Sequence, residues 1–437
     1  MSQIDFKRSV EVRHTVDVFV AGGGPAGVAA AVSAARNGAT VFLAEKEQCF
    51  GGMGTVAKVP AFMRFSDGVN FLAGEIGREI FDSVYGKNTP FETIEFAIDT
   101  EKLKTVYDKL VTESGIEFSF ESEVIAVDGE AGKLQYAVIK GKEKLFAVEA
   151  KIFIDTTGDG TISCWAGADS EMGDENGSMM PGTLCTQWAN IDWSEAVVEL
   201  GKDPDNRMLE QAFKDKVFSI EDKALSGMWK HEYGLGGGNI GHVFGVDGTD
   251  ERSITAGIID ARKRMSEYQR YYNEYLPGYE NAKIVATADV LGIRETRRMI
   301  CEYMMTLDDY LQHADFDDEI GRYCYPVDVH ASRPGEVSKH PGIYENGYEK
   351  GKSYGIPFRS LLPQKTENVI VAGRSIGAER EMMGSVRVMP ACYITGQAAG
   401  TAAAMAALGG VSLREIDVHM LQSKLVEAGV YLPNFKA

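Results

Sequence analysis

Three glycines and one carboxylate near the front of the chain have the types and spacing for a specific chemistry. Gly22-x-Gly24-x-x-Gly27 leaves an apolar run, and Glu45 closes the next one. In such a turn the first glycine bends the chain sharply. The second lets the backbone approach a pyrophosphate, and the third lets helix and strand pack closely. Pro25 and Ala26 then open a helix whose free N–H groups and positive dipole end favour phosphate. Glu45, with Lys46 beside it, is placed to accept from ribose hydroxyls and to repel a 2′-phosphate. The implied ligand is an adenine dinucleotide. A second Gly-x-Gly-x-x-Gly, Gly236–Gly241, follows no buried strand and opens no helix, so it reads as a loop or strand near the site.

Acid–base work points to histidine, whose ordinary pKa lies near neutrality. There are seven. His14 precedes the first strand and His419 lies in the terminal helix, so both are expected at the surface. His330, in the stretch Tyr325–Pro334 beside Arg333, is the leading catalytic candidate. His242, just after the second glycine cluster, is the next. Arg294, Arg297 and Arg298 form a basic knot in an acidic chain. Two of the three are expected in salt bridges between domains. Arg297 is the expected ligand for an anionic substrate group, since a guanidinium matches a carboxylate with two parallel hydrogen bonds. Cys49 has no Cys-x4-Cys partner, which argues against a dithiol mechanism. No cluster has metal-ligand spacing, so no metal is expected.

The elements that must position these groups follow from periodicity. Val16–Ala21, the glycine turn, an Ala-rich helix over Val28–Asn37 and the strand Thr40–Ala44 make one βαβ unit. Residues 68–115 read as mostly helical and Glu117–Val127 as a strand. Residues 133–155 read as two or three more strands, turning at Gly141-Lys142. The stretch 166–349 carries three of the four tryptophans and a Tyr-dense helix near 260–275, and reads as a less regular insert. Within it, Met299–Thr306 alternates like a strand, and a helix is expected from Thr306-Leu307-Asp308-Asp309. From 354 the pattern turns compact: a strand at Asn368–Ala372, then a long Ala/Gly-rich helix from Pro390 to Leu408, and an amphipathic helix near the end. The expected class is α/β: a Rossmann-like dinucleotide domain with a β-meander, discontinuous over 1–165 and 350–437, and an inserted α+β substrate domain over 166–349.

Three further motifs bear on which dinucleotide is held. Gly51-Gly52-Met53-Gly54-Thr55 follows the Glu45 strand, where a glycine pair lets the chain run along a pyrophosphate or ring system. Asp155-Thr156-Thr157-Gly158-Asp159-Gly160 closes the meander. Gly373-Arg374 precedes Gly384–Pro390, which opens the Ala-rich helix. With these residues the chain, from about 16 to 410, resembles the broad family of FAD-dependent oxidoreductases related to fumarate reductase flavoproteins and glutathione reductase. More narrowly it resembles a bacterial group sharing stretches like Gly292–Arg298, Tyr325–His330 and Tyr354–Arg359. That resemblance implies FAD as cofactor. It also implies that Thr157, Gly158 and Asp159 lie against it, with Gly373, Arg374 and the loop before the last long helix. Val124 is added to the expected FAD contacts. On this reading Arg387 and the helix start at Pro390 and Ala391 would stabilise negative charge on a reduced flavin.

Composition bounds the rest. Hydrophobic residues at 44% and charged residues at 25% give a chain able to bury a large core, which excludes disorder. The net charge of −19 disfavours nucleic acid and anionic membrane surfaces. Scattered cysteines without a leader-like segment suggest the cytoplasm. The expected function is hydride exchange between flavin N5 and a small organic substrate, anionic or carbohydrate-like, with non-covalent FAD and no nicotinamide domain. Two alternatives stand beside it: a flavin monooxygenase using external reduced nicotinamide, and an electron-transfer FAD subunit with no substrate of its own. The expected partner is a small-molecule substrate; a second copy of the chain or a redox partner protein is left open.

Overall fold

The computed structural model describes residues 4, 7–93, 95–130, 132–196, 206–223, 225, 227–336 and 347–436. Strands apolar on both faces belong in the middle of a covered sheet, and the sequence supplies several. Glu117–Ser119, Val41–Ala44, Glu11–Ala21 and Leu145–Asp155 lie side by side in that order, all parallel. Val18, Phe19, Val20 and Leu43 are wholly buried. The far edge of Leu145–Asp155 is shared. Its first half pairs antiparallel with Lys133–Lys140, which pairs in turn with Glu123–Glu130. Its last residues pair in parallel with Val369–Val371, from near the other end of the chain.

Two helices cover one face of this sheet, Pro25–Arg36 and Met389–Gly409. Small residues let their backbones touch. A Cβ at Gly396 would lie 2.2 Å from the Ala26 carbonyl oxygen, and one at Gly400 would lie 2.1 Å from that of Ala30. The first helix starts earlier than Val28 because Pro25, with its fixed φ and no N–H, suits the first turn. The expected strand Glu117–Val127 is split, since Glu121 takes a left-handed φ of 51°. Helices Gly74–Tyr85 and Thr100–Glu113 account for the helical stretch before it.

The insert has its own core. Gly227–Lys230, Gly236–Asn239, Thr186–Ala189 and Lys283–Thr287 form a four-stranded antiparallel sheet. Helix Glu251–Tyr275 packs against it through Tyr268, Tyr271 and Tyr272, around Trp188 and Met228. The second glycine cluster is therefore mainly strand. A Cβ at Gly237 would lie 2.5 Å from Cβ of Pro60, so glycine there lets the insert seat on the first domain. This second core runs from Leu184 to Leu291, whereas Met299 to Val329 join the main core. The ladder between Glu319–Tyr323 and Tyr354–Pro357 agrees with that division. The strand expected over Met299–Thr306 ends at Met299, while Thr306 makes the capping box that starts helix Leu307–Leu311. Among the described residues no helix is long and apolar enough to cross a membrane.

Candidate functional site

A cleft of about 500 Å³ runs along the C-terminal ends of the central strands, where ligands of open α/β sheets collect. Glu45, Lys46 and Val124 line one end. Gly22, Gly24, Pro25 and Ala26 line the middle with Thr157, Gly158 and Asp159. Gly373, Arg374, Arg387, Met389 and Cys392 close the other end. The glycine turn is built as its spacing requires. Gly22 takes a φ of 97°, and its carbonyl accepts from Thr156 Oγ1 at 2.7 Å. A Cβ at Gly27 would lie 1.8 Å from the Gly22 carbonyl oxygen, while one at Gly24 would meet nothing within 4 Å. Gly24 is thus the open rung of the turn. Glu45 is buried, and its carboxylate accepts from the Gly23 and Glu47 N–H groups at 2.6 and 2.8 Å. Burial raises its pKa, and those two bonds oppose the rise.

The 51–55 loop divides its labour. Gly52 and Met53 line the cleft. Gly51, Gly54 and Thr55 are not among the residues lining the cleft and instead hold the loop. Gly51, at a φ of 103°, donates its N–H to the Gly23 carbonyl at 2.8 Å and lashes the two glycine loops together. Gly54 is packed between Leu103 and Met389, and Thr55 donates to the Phe50 carbonyl at 2.7 Å from a fully buried position. Ala391 is likewise fully buried inside its helix; Met389 and Cys392 reach the cleft in its place. Val388 caps that helix without a side-chain bond, so its first-turn N–H groups are left to whatever fills the cleft.

A second chamber, of about 280 Å³, opens from the cleft at Met53, Ile293, Arg374, Arg387 and Met389. His330 stands in its wall, with Nε2 3.1 Å from one Asp328 oxygen and 3.3 Å from the other. Arg387 Nη2 donates to the same carboxylate at 3.1 Å and to the Asp328 carbonyl at 3.0 Å. Burial pushes His330 down to about 4; the adjacent Asp328 resists this and Arg294 adds to it. Burial works against the Asp328 charge, but His330 and the Arg387 and Arg294 guanidiniums hold its carboxyl well below the usual carboxylate range. The imidazole is therefore neutral near pH 7. An ionised carboxylate only accepts, so the proton sits on Nε2 and Nδ1 keeps its lone pair.

His242 lines neither cavity. It is buried behind His330, ring centroids 4.8 Å apart, with Nδ1 2.9 Å from Asp222. Burial lowers its pKa, with Asp222 opposing. The arginines are distributed otherwise than expected. Arg297 lines neither cavity; its guanidinium donates to the Asp159 carbonyl at 3.2 Å. Arg298 sits near Glu295 and Glu171, at 3.5 and 3.8 Å. Arg294 is the one in the chamber wall. The reason is local: residues 293–296 form no regular strand, so neither the helical nor the strand phase assigned their faces correctly. Asp159 is the hub of the adjoining loop, bonding Arg374 at 2.8 Å and Thr296 Oγ1 at 2.7 Å. Asp328, Glu95 and Trp229 were not singled out from the sequence, and Arg294 was expected in a salt bridge rather than at the ligand. Of the first three only Asp328 had a signal, two residues before His330 in an extended stretch.

Residues 17–425 match the family described as FAD dependent oxidoreductase. The chain belongs to that family. Its members' cofactor is FAD, and the cleft fits one: a turn with no Cβ where the pyrophosphate must pass, a buried carboxylate at one end, and a buried, unpartnered Arg387 Nε at the other. Among curated proteins, none matches this sequence. Solved structures similar in fold include a geranylgeranyl bacteriochlorophyll reductase-like protein from Thermoplasma acidophilum. It is 14% identical at a TM-score of 0.51, over 95% of this chain and 83% of that one. A flavin-dependent brominase is 12% identical at a TM-score of 0.46, over 94% and 84% of the two chains. The p-nitrophenol 4-monooxygenase of Pseudomonas putida is 12% identical at 0.44, over 92% and 83%. At these identities the likeness is one of fold.

Proposed function

We propose that this FAD-dependent oxidoreductase exchanges a hydride with a small organic molecule bound in the chamber, and that His330 moves the accompanying proton. The observation that carries the reading is the His330–Asp328 pair in the wall of a chamber that opens onto the cleft. Bound FAD would supply two-electron exchange at the N5 position of its ring system. The chain's own residues would do the rest. Gly22, Gly24 and the helix start at Pro25 and Ala26 would hold the pyrophosphate, and Glu45 the ribose. Thr157, Gly158, Asp159, Gly373 and Arg374 would line its path. Arg387 and the N-terminus of helix Met389–Gly409 would favour negative charge on the ring system. His330 would take a proton at Nδ1 from a substrate hydroxyl, or return it to a carbonyl, and Asp328 would orient the ring throughout. His242, held by Asp222, would position His330 from behind.

Non-covalent binding, a cytoplasmic setting and an external electron acceptor complete the proposal. A kinship with fumarate reductase and glutathione reductase flavoproteins belongs to the same proposal. Anaerobic mixing of the yellow protein with a panel of small organic metabolites tests it. Bleaching of the flavin band by one of them, lost in His330→Asn, is the expected outcome. The monooxygenase reading requires instead that NADPH bleach the flavin and that oxygen restore it with a hydroxylated product.

A further inference from the structure

Arg294 presents the chamber with a positive charge that no carboxylate among the described residues meets in an ion pair, although Asp328 and Asp222 act on it from farther off. It is 9% exposed, and its guanidinium bonds only neutral oxygens. Nη1 donates to the Pro181 carbonyl at 2.7 Å and to Thr183 Oγ1 at 2.8 Å, and Nη2 donates to Asn239 Oδ1 at 3.2 Å. The nearby carboxylates are engaged elsewhere. Asp328 pairs with Arg387 and His330, Asp159 with Arg374, and Asp222 with His242. Glu95, across the chamber wall, accepts from Trp229 Nε1 at 2.9 Å. Among the described residues none forms an ion pair with Arg294. A buried cation left in this state is costly unless an anion meets it. Burial pushes Arg294 down to about 10, with Arg387 adding to the effect and Asp328 and Asp222 opposing it, and it stays charged at neutral pH.

The hydrogen bonds show what is left over. A guanidinium has five N–H donors. Three are used, so Nε–H and one Nη2–H have no acceptor among the described residues. Donors on neighbouring nitrogens suit the two oxygens of a planar carboxylate. Much of the remaining wall is apolar: Met53, Val59, Ala61, Met63, Trp229 and Tyr325. At about 280 Å³ the chamber holds roughly nine waters' worth of ligand.

We infer that Arg294 binds the carboxylate of the substrate, and that the substrate is a small organic acid with an apolar or aromatic body. The inference rests on the flavoenzyme reading of the adjoining cleft and names the substrate class of that same site. Arg294 meets the ligand directly, whereas Arg297 and Arg298 hold the protein around it.

The test is calorimetric titration of the protein as purified with benzoate, with benzamide as its neutral counterpart of the same size, and with inorganic phosphate. The expected result is benzoate binding at least about tenfold tighter than either of the others, the scale of a charge-assisted hydrogen-bond pair. In Arg294→Gln the preference for benzoate disappears while benzamide binding is unchanged. Arg294→Lys, which keeps the buried charge and loses the fork, weakens benzoate several-fold; it serves alone if the glutamine variant does not fold. Equal binding of benzoate and benzamide overturns the inference, as does no benzoate binding or benzoate binding that ignores both substitutions. Phosphate binding as tight as benzoate overturns the carboxylate assignment. The flavin content of the same samples is read separately. Colourless protein unable to take up FAD sinks the flavoenzyme reading, while benzoate failing against fully loaded protein sinks only the Arg294 inference.

Discussion

The protonation of His330 sets a cost that can be measured without any substrate. In the unfolded chain this imidazole takes a proton at its ordinary pKa of 6.5; in the fold it does so only at about 4. At roughly 1.4 kcal/mol per pH unit, that gap is worth about 3 kcal/mol. The sign follows from which state binds the proton. Between pH 6.5 and about 4 the unfolded chain is protonated here and the folded one is not, so stability falls as pH falls through that window and levels off below it. His242, also lowered, contributes in the same direction. Urea unfolding of the wild type and of His330→Asn, near pH 7 and again at about pH 4.5, isolates the His330 part. The wild type should lose about 2–3 kcal/mol more than the variant over that interval. Parallel losses in the two proteins would refute the claim that this ring is held neutral by its surroundings. So would a variant that loses more than the wild type.

Three other perturbations test the framework. Arg387→Met should leave FAD bound but lower its two-electron midpoint potential by about 30 mV or more, since a unit charge at an effective dielectric near 20 contributes a few kcal/mol; a potentiometric titration giving an unchanged value would remove the electrostatic role assigned to Arg387. Gly27→Ala puts a Cβ 1.8 Å from the Gly22 carbonyl oxygen, so the purified protein should be largely colourless, and an ordinary flavin content would contradict the turn geometry. Gly400→Ala, whose Cβ would lie 2.1 Å from the Ala30 carbonyl oxygen, should destabilise the fold by about 1–3 kcal/mol; a thermal melt matching the wild type would mean that the two helices separate at no cost.

What could be read from sequence was whatever is local along the chain. The turn at Gly22–Gly27, the strand just before Glu45 and the helix after Val388 are each set by a few consecutive residues, and each stands where it was expected. The meander was legible because Lys133–Lys140 and Leu145–Asp155 are neighbours joined by a short turn. Arg294 was not legible, because the oxygens that hold it come from Pro181, Thr183 and Asn239, on segments far from it in sequence. Gly51, Gly54 and Thr55 share the composition of a ligand loop, yet they serve the loop's own hydrogen bonds and packing. Residue type could not separate these uses. Packing could, and it also drew Met299–Val329 into the main core through partners more than one segment away.

The divided edge of Leu145–Asp155 has a consequence for how the molecule is made. The floor under the nucleotide is finished only when Val369–Val371 docks beside that strand, and its far wall only when the helix from Met389 has been synthesised. A ribosome-bound chain exposing everything up to the end of the insert still has an open seam under the glycine turn. Pairings between such distant segments are slow to form. C-terminal truncations should therefore cost the protein its colour before they cost it the fold of the insert.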